Sequence, residues 1–453
     1  MNKNISNHHS SSVTSQLDEL KNVISDVVAS AKNQGATEVE AELSLEKGLS
    51  VTARLGEVET IEHHFDQGLG LTVYFGKKKG SASTTDLRPN SIQEALMAAC
   101  SIAKYASEDQ CAGLPEQDLL ATEFYDLDLY HPWSLDAEQA VQIAIECEDE
   151  ARNFHPDISN SEGASVNSHE GVRIFGNSLG FLHGYPSTRQ SLSCSVLGQQ
   201  DKSMQRDYWY TIARNAEELE TPKAVGIKAA ERTIKRLGAH SISNRQCPAL
   251  FSAEIASSLI GHFIGAIRGG NLYRKSSFLL DAMGQQIFPS FVHIQEQPHL
   301  QRALGSALYD SEGVATSDKD LVNEGLLKSY VLSTYSARKL GLQTTANAGG
   351  LHNLIIDPGR ASLDELLAQM DTGLLVTELM GQGVNTVTGD YSRGAAGYWV
   401  EQGQIQYPVE EITIAGNLKN MFKNIVAIGN DVDFRGNTRT GSILLEQMTV
   451  AGE

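Results

Sequence analysis

The chain has 453 residues, of which 36 are Lys or Arg and 56 are Asp or Glu, so 36 − 56 gives a formal net charge of −20. At roughly 150 residues per domain, this length predicts two or three domains with ample core and excludes a small disulfide-stapled scaffold. Hydrophobic residues make up 41% of the chain, with 40 Gly and 11 Pro, which excludes collagen and wholesale disorder. The negative field repels phosphate backbones and anionic lipids, so we expect no contact with nucleic acid or membranes.

The cysteines and the N-terminus are typical of a cytoplasmic protein. The five cysteines are odd in number and widely separated, with no C-x-x-C pair. We therefore expect reduced thiols and neither a disulfide framework nor a zinc ribbon. The N-terminus has no apolar signal region, and no stretch approaches the ~18 apolar residues of a membrane span. Residues 1–12, rich in Ser, Asn and His, are predicted to form a disordered tail.

The first predicted elements are a helix and an antiparallel meander. Apolar residues recur at helical spacing between Val13 and Gly35, and Gly35 stands where a C-cap belongs. The period then changes to two, in five short runs separated by glycine: 39–43, 49–54, 58–62, 69–74 and 80–84. A second helix follows, with a capping box predicted at Ser91 to Glu94. Its expected apolar stripe consists of Ile92, Leu96, Ala99 and Ile102.

An acidic stretch follows these elements. No Lys or Arg occurs between Lys104 and Arg152, whereas the interval holds thirteen carboxylates. Such a stretch is either a solvated acidic face or a docking surface for a basic partner. A helix is predicted near 136–154, and another from about 217 to 237. Between them lies a second strand-rich block, with strands predicted at 172–175, 180–185 and 191–196.

A domain boundary is predicted near residues 238–248, because a polar run from Ser241 to Gln246 precedes a new apolar segment. We expect an N-terminal α+β domain, 13–240, with the antiparallel meander, and a C-terminal domain, 248–453, with a mixed antiparallel sheet. The order of strands and helices favours α+β and not βαβ alternation. The elements predicted in the second half are a helix at 252–267, strands at 326–332 and 374–379, a glycine-rich stretch at 381–397 and a helix at 418–426.

Two glycine-containing motifs suggest chemistry that their surroundings do not support. The segment from Gly176 to Gly180 matches G-x-S-x-G, but a strand and not a helix is predicted after Ser178, so a hairpin connection is the better interpretation. The segment from Gly381 to Gly383 lacks the G-K-[ST] ending of a phosphate loop. We interpret its glycines as allowing close approach of a peptide or another strand.

The helix at 252–267 carries part of a metal-binding pattern. Two histidines at i and i+4 or i+5, with a glutamate beside the first, would hold zinc and supply the base that activates its water. Only His262 is present here. Ser257 stands five residues earlier, where the first ligand would lie, and Ser258 occupies the glutamate position. A lone histidine on an apolar helix is more typical of a hydrogen-bonded core residue than of a metal ligand.

Several longer motifs share one order along the chain. They are Gly261 to Ala266, Asp310 to Val314, Val376 to Gly383 and Gly389 to Trp399, with Gly80 to Leu87 and Phe175 to Ser178 in the first half. These motifs closely resemble the PmbA (TldE) branch of the TldD/PmbA metallopeptidase family, which also carries the older name modulator of DNA gyrase. The likeness covers nearly the whole chain after the tail.

The resemblance implies a subunit of a cytoplasmic bacterial metallopeptidase assembly that admits unfolded peptide to an enclosed site. In this family a TldD-type chain carries an H-E-x-x-x-H zinc helix and a downstream Cys ligand. The corresponding positions of this sequence are Ser257, Ser258, His262 and Thr440. Hydroxyls are poor substitutes for thiolate or imidazole, so we expect zinc in the TldD-type partner and no metal in this degenerate C-terminal domain. His293 and His299 could be considered as a compensating metal site, but their separation is not that of two ligands on one helix face.

Three functions follow from these observations. The leading one is a non-catalytic subunit that forms the peptide cavity with a TldD-type partner in a heterodimer, or forms a homodimer when alone. Its candidate peptide-binding residues are Asp310, Glu312, Gly381, Gly383, Tyr391, Arg393 and Gly394. The second is a non-enzymatic, protein-binding regulator of a topoisomerase. The third, a metal-independent hydrolase, rests on Ser178 alone.

Overall fold

The computed structural model describes residues 16–452, so the predicted tail at 1–12 lies outside the described residues. Within that range the architecture is α+β, as predicted, with three sheets and the helices packed against them. Among the same residues, no helix combines the length and the apolar character that a membrane crossing requires.

The first sheet consists of long antiparallel strands in the order β3-β2-β1-β4-β5-β6. They are β1 (Glu38–Arg54), β2 (Glu57–Phe75), β3 (Lys78–Thr84), β4 (Ile158–Asn177), β5 (Leu182–Gln200) and β6 (Ser203–Ala213). The antiparallel meander is confirmed, but its five predicted runs are three strands. Gly48, Gly68 and Gly70 lie inside the β1–β2 ladder. A glycine weakens a strand without removing its backbone hydrogen bonds, so it did not end the strand here.

Four helices cover one face of this sheet. They are α1 (Leu17–Asn33), α2 (Pro89–Tyr105), α3 (Ala137–Arg152) and α4 (Pro222–Lys235). Alternate residues of β1 are buried, and the period of two places them all on this face. The first half of β1, including Leu43, packs against α1 and α2, and the second half, including Val51, packs against α3 and α4. Short 3₁₀ turns lie at Gln117–Leu119 and Ala216–Glu218.

The start of α2 differs from the sequence-based prediction. The helix begins at Pro89, a residue that suits the first helical position because its missing N–H has no partner there. Ser91 is therefore inside the helix, and its hydroxyl donates to Asp86 Oδ2 at 2.7 Å. The predicted capping box is wrong. Ile102, expected in the apolar stripe, is 51% exposed, and Ala103 is buried instead.

The second half builds two further sheets. One has the order β14-β13-β12-β7-β17-β15, and an additional β14–β17 pairing closes it on itself. Its strands are β7 (Arg245–Phe251), β12 (Gly373–Met380), β13 (Asp390–Glu401), β14 (Gln404–Asn417), β15 (Ile425–Ile428) and β17 (Ile443–Ala451). β7 and β12 are parallel and the other neighbours antiparallel, so this sheet is mixed.

The smaller sheet has the order β10-β9-β8-β11-β16, with β8 (Ile294–Glu296), β9 (Lys319–Asn323), β10 (Leu326–Leu327), β11 (Leu354–Ile356) and β16 (Thr438–Arg439). The strand predicted at 326–332 is thus reduced to two residues. The helices of this half are α5 (Ala253–Ile267), α6 (Gly269–Tyr273), α7 (Thr334–Leu340), α8 (Leu363–Met370) and α9 (Leu418–Lys423). The apolar face of α5, including Leu259 and Phe263, lies in the core of this half.

The predicted boundary at 238–248 follows α4, but its last residues, 245–248, are already the start of β7. Within residues 16–452, the strands of the first sheet pair only with one another, and an isolated bridge joins His240 to Val409 of β14. Side chains also connect the two halves, as when Arg214 donates to the Leu304 carbonyl at 2.7 Å. The division into separately folding domains at 238–248 stays a prediction.

Candidate functional site

The two serines at metal-motif positions use their hydroxyls within α5. Ser257 Oγ donates to the Glu254 carbonyl at 3.1 Å, and Ser258 Oγ donates to the Ile255 carbonyl at 2.7 Å. Such bonds to the preceding turn are the usual arrangement for serine inside a helix. These hydroxyls therefore bond within their own helix.

His262, one turn farther along α5, lies against β13. Its ring packs edge-on against the Tyr391 ring, with centroids 5.8 Å apart. Its Nε2 atom is buried and has no hydrogen-bond partner among residues 16–452. Burial lowers the pKa of His262, and the nearby Arg393 guanidinium lowers that pKa further. Both effects favour the uncharged imidazole, but the expectation of a hydrogen-bonded core histidine is only partly met, because Nε2 has no partner in the described residues.

Zinc does not fit the residues at these positions. Thr440 is fully buried, and its hydroxyl donates to the Gly441 carbonyl at 3.0 Å. The neutral hydroxyls of Ser257, Ser258 and Thr440 are poor zinc ligands, so among these four positions His262 alone offers a ligand atom that zinc prefers. A catalytic zinc needs three protein ligands, and the described residues contain no group of three His, Cys, Asp or Glu able to hold a metal.

His293 and His299 serve separate structural contacts. His293 Nδ1 meets Asp357 and its Nε2 meets Asp320, each at 2.8 Å. Burial opposes the charged imidazole, but the two carboxylates outweigh it and raise the pKa of His293. His299 Nε2 bonds to Thr316 Oγ1 at 3.0 Å. Both ring nitrogens of His293 are thus occupied by carboxylates of the smaller sheet and its surroundings.

Tyr391 and Arg393 are two residues apart on β13. Tyr391 is only 2% exposed, and burial raises its pKa to about 12, although the adjacent Arg393 acts in the opposite direction. Arg393 lines a cleft of about 420 Å³. The walls of this cleft come from β6, α4, the first turns of α5, the end of β12 and the loop before β16. We call it the Arg393 cleft.

Ion pairs cross the Arg393 cleft from several elements. Arg232 of α4 contacts Asp207 at 3.2 Å and Glu254 of α5 at 2.9 Å. Arg435 reaches the same Glu254 at 3.7 Å, and its guanidinium lies 3.8 Å from the centre of the Trp209 ring. The first half and the second half of the chain therefore build this cleft together. Sequence reasoning missed these arginines, since their spacing along the chain forms no motif.

Asp310 and Glu312 lie elsewhere. They line clefts that border the first sheet, one of about 1150 Å³ beside Glu312 and a smaller one beside Asp310. Burial and the neighbouring Glu312 raise the pKa of Asp310 to about 6. Its carboxylate accepts the backbone N–H groups of Glu312, Val314 and Ala348 at 2.9–3.0 Å. Asp310 thus organises a turn, and the structure does not bring it together with Arg393.

The candidate glycines differ in what surrounds them. A Cβ on Gly383 would lie 1.9 Å from the Ser392 carbonyl oxygen, and one on Gly394 would lie 3.3 Å from Met380 Cβ. The chain's own packing therefore excludes a side chain at Gly383, whereas at Gly394 a Cβ would be tight. Gly381 has φ +76° with open space around it, which suits a turn. Only part of the glycine-rich stretch is strand, because β13 begins at Asp390.

Close packing does not explain the glycines at two positions of α5. A Cβ on Gly261 or Gly265 would meet nothing within 4 Å. Glycine inside a helix costs roughly 0.5–1 kcal/mol relative to alanine. Both lie on the side of α5 that continues from Ser258, because residues three and four apart share a helix face. The side of α5 beyond the Arg393 cleft is therefore open.

The hydroxyl of Ser178 also has a structural partner. It accepts the Val39 N–H at 3.0 Å in the turn between β4 and β5. A strand follows this turn, so the hairpin interpretation of the G-x-S-x-G match is confirmed.

Comparisons with known proteins agree with this architecture. The PmbA/TldA metallopeptidase domain 1, central domain and C-terminal domain match residues 39–103, 130–237 and 244–452. Metalloprotease PmbA of Escherichia coli O157:H7 is 49% identical over 97% of this chain and 99% of that protein.

Two solved structures share the fold. One, from Bacteroides thetaiotaomicron, carries the name modulator of DNA gyrase; it has a TM-score of 0.92 and 27% identity, covering 97% of this chain and 100% of that one. TldE from Thermococcus kodakarensis has a TM-score of 0.81 at 18% identity, over 95% and 100% of the chains. From the matched domains and the identity to the E. coli protein, the chain belongs to the PmbA/TldD metallopeptidase family.

Proposed function

We propose that this chain is the PmbA/TldE-type subunit of a cytoplasmic two-chain metallopeptidase. A TldD-type partner holds the zinc and cleaves unfolded peptide, and this chain forms part of the peptide cavity without catalysing the reaction itself. The 49% identity to a protein named Metalloprotease PmbA supports the peptidase assignment. The observation that carries the non-catalytic role is that neutral hydroxyls, which bond to main-chain carbonyls, stand at three of the four motif positions.

The chemistry of the site supports catalysis by the partner and a non-catalytic role for this chain. Water activation by zinc needs the metal and a nearby base, and Ser258 has no basic group. His262 Nε2 is buried and burial favours the uncharged imidazole, so His262 supports the site by packing against Tyr391 and not by touching the peptide. The five free cysteines are in keeping with a reducing compartment.

The test is co-expression with the TldD-type chain of the same organism. We expect the two chains to co-elute on sizing and to cleave an unfolded peptide only together. Replacing the glutamate of the partner's H-E-x-x-x-H motif should abolish cleavage, whereas His262→Ala in this chain should reduce it without abolishing it. Cleavage by this chain with the partner rigorously absent would contradict the proposal. Co-purification with a topoisomerase and not with the TldD-type chain would favour the regulator alternative.

A further inference from the structure

Arg393 differs from the other arginines of the Arg393 cleft in its partners. Arg232 and Arg236 share Asp207, Arg435 contacts Asp433, and Arg206 contacts Glu162 of β4. Within residues 16–452, no carboxylate lies within ion-pair distance of Arg393. Its Nε atom is buried and has no hydrogen-bond partner there. The cleft thus contains one guanidinium whose charge the surrounding side chains do not neutralise.

The groups beside Arg393 suit an incoming carboxylate. A guanidinium presents planar, paired N–H donors that match the two oxygens of a carboxylate. The Tyr391 hydroxyl and His262 Nε2 lie near it, and both are buried without a hydrogen-bond partner among residues 16–452. Among the described residues, the acids that line the cleft, namely Asp207, Glu254, Glu378 and Asp433, are each paired with an arginine, so none of them is free to bind a cation. These same acids would repel a dianion such as phosphate more strongly than a singly charged carboxylate.

The open side of α5 provides room for the rest of such a ligand. Ser258 lines the cleft, and Gly261 and Gly265 continue from it along one helix face with open space at each Cβ position. An extended main chain can approach this face closely, since neither glycine has a side chain.

We propose that the Arg393 cleft binds a peptide carboxylate, held by Arg393 with the preceding main chain along the open side of α5. The inference rests on the proposed function, because it names the chemical group by which this subunit holds a peptide. The carboxylate belongs to the C-terminus of the peptide or to an acidic side chain.

The test uses calorimetric titration of this chain alone with three short acetylated alanine peptides. One has a free C-terminal carboxylate, one is amidated, and one is amidated but contains an internal glutamate. We expect at least one carboxylate-bearing peptide to bind about tenfold or more tightly than the uncharged amide. The stronger of the two identifies the source of the carboxylate. Equal affinity for all three peptides would overturn the inference. This outcome is measured on the unchanged chain and does not depend on the folding of any variant.

Arg393→Gln is expected to abolish the preference for the carboxylate. The variant should bind the carboxylate-bearing peptide no more tightly than the uncharged amide. Arg360→Gln, which removes the same charge from an exposed position, should retain the preference. A preference retained in folded Arg393→Gln would overturn the inference. Because binding is measured without the TldD-type chain, a failure of the two chains to assemble would contradict the proposed function and leave the binding result unaffected.

Discussion

The Tyr335 hydroxyl donates a hydrogen bond to Asp109 Oδ2 at 2.7 Å, joining α7 to the acidic stretch between Lys104 and Arg152. Lys339 of the same helix contacts Asp109 at 2.9 Å, and Arg338 contacts Glu116 at 2.8 Å. The stretch was expected to be a solvated face or a docking surface for a basic partner. At these carboxylates, the basic groups come from the second half of the same chain.

Removing the Arg338 side chain should destabilise this connection. Arg338 also donates to the Leu114 carbonyl at 2.7 Å and the Gly113 carbonyl at 3.2 Å. We expect Arg338→Met to lower the free energy of unfolding by about 1–3 kcal/mol, because these carbonyls lose their donor. Arg88→Met, at an exposed ion pair, should change it much less, because solvent screens that pair. Urea unfolding of both variants checks this, and equal effects would contradict it.

Glu296 is fully buried. Its burial and its ion pairs predict that the protein loses stability in acid. It contacts Lys319 at 3.0 Å and His352 at 2.8 Å. Burial opposes its ionisation, but His352, Lys319 and Asn347 outweigh burial and lower its pKa. A carboxylate whose pKa is lowered on folding contributes stability above its unfolded pKa of about 4.3 and loses it as the pH falls through the folded value.

We therefore expect Glu296→Gln to cost about 3 kcal/mol near neutral pH, since Lys319 loses its buried partner. This cost should shrink as the pH falls below about 4.3. Urea midpoints measured across this pH range test the prediction. Glu94→Gln, at an exposed glutamate, is the control, and a cost for Glu296→Gln that stays constant with pH would count against it.

Glycine substitutions should have opposite effects at two positions. A Cβ on Gly397 would lie 1.9 Å from the Leu375 carbonyl oxygen, so Gly397→Ala should destabilise the fold by about 2–3 kcal/mol. Gly261→Ala, in open space on α5, should stabilise it by about 0.5–1 kcal/mol. Thermal unfolding measures both changes. A destabilised Gly261→Ala variant would refute the second half of the prediction.

The purified chain is expected to bind no stoichiometric zinc. The hydroxyls of Ser257, Ser258 and Thr440 are poor ligands and donate to carbonyls. Metal analysis after dialysis is the measurement. About one tightly held zinc per chain that is lost in His262→Ala would show this expectation to be wrong.

Limited proteolysis should first cleave between Gly238 and Asn244. Several residues of this connection are exposed, and it carries no regular helix or long strand. Two stable fragments should result, corresponding to 13–240 and 248–453. Initial cleavage within the first sheet, or co-unfolding of both parts in a single transition, would argue against two domains.

The spacing of apolar residues along the sequence determined the type of many secondary-structure elements in this protein. The apolar residues of α5 and β1 recur with periods of 3.6 and two, and these periods predict a helix and a half-buried strand from neighbouring residues alone. The same spacing shows Ser257, Ser258 and His262 on one helix. Strand length could not be predicted, because the β1–β2 ladder continues past Gly48 through hydrogen bonds to a neighbouring strand.

Only the tertiary structure decided which charges meet. Arg232 on α4, Glu254 on α5 and Arg435 before β16 come together in the Arg393 cleft, and Asp310 is directed into a turn instead. No periodicity relates these positions. The strength of an ion pair depends on the distance between its groups and on their burial, and the folding of the whole chain sets both. For the same reason the lone charge of Arg393 is visible only once the partners of its neighbours are known.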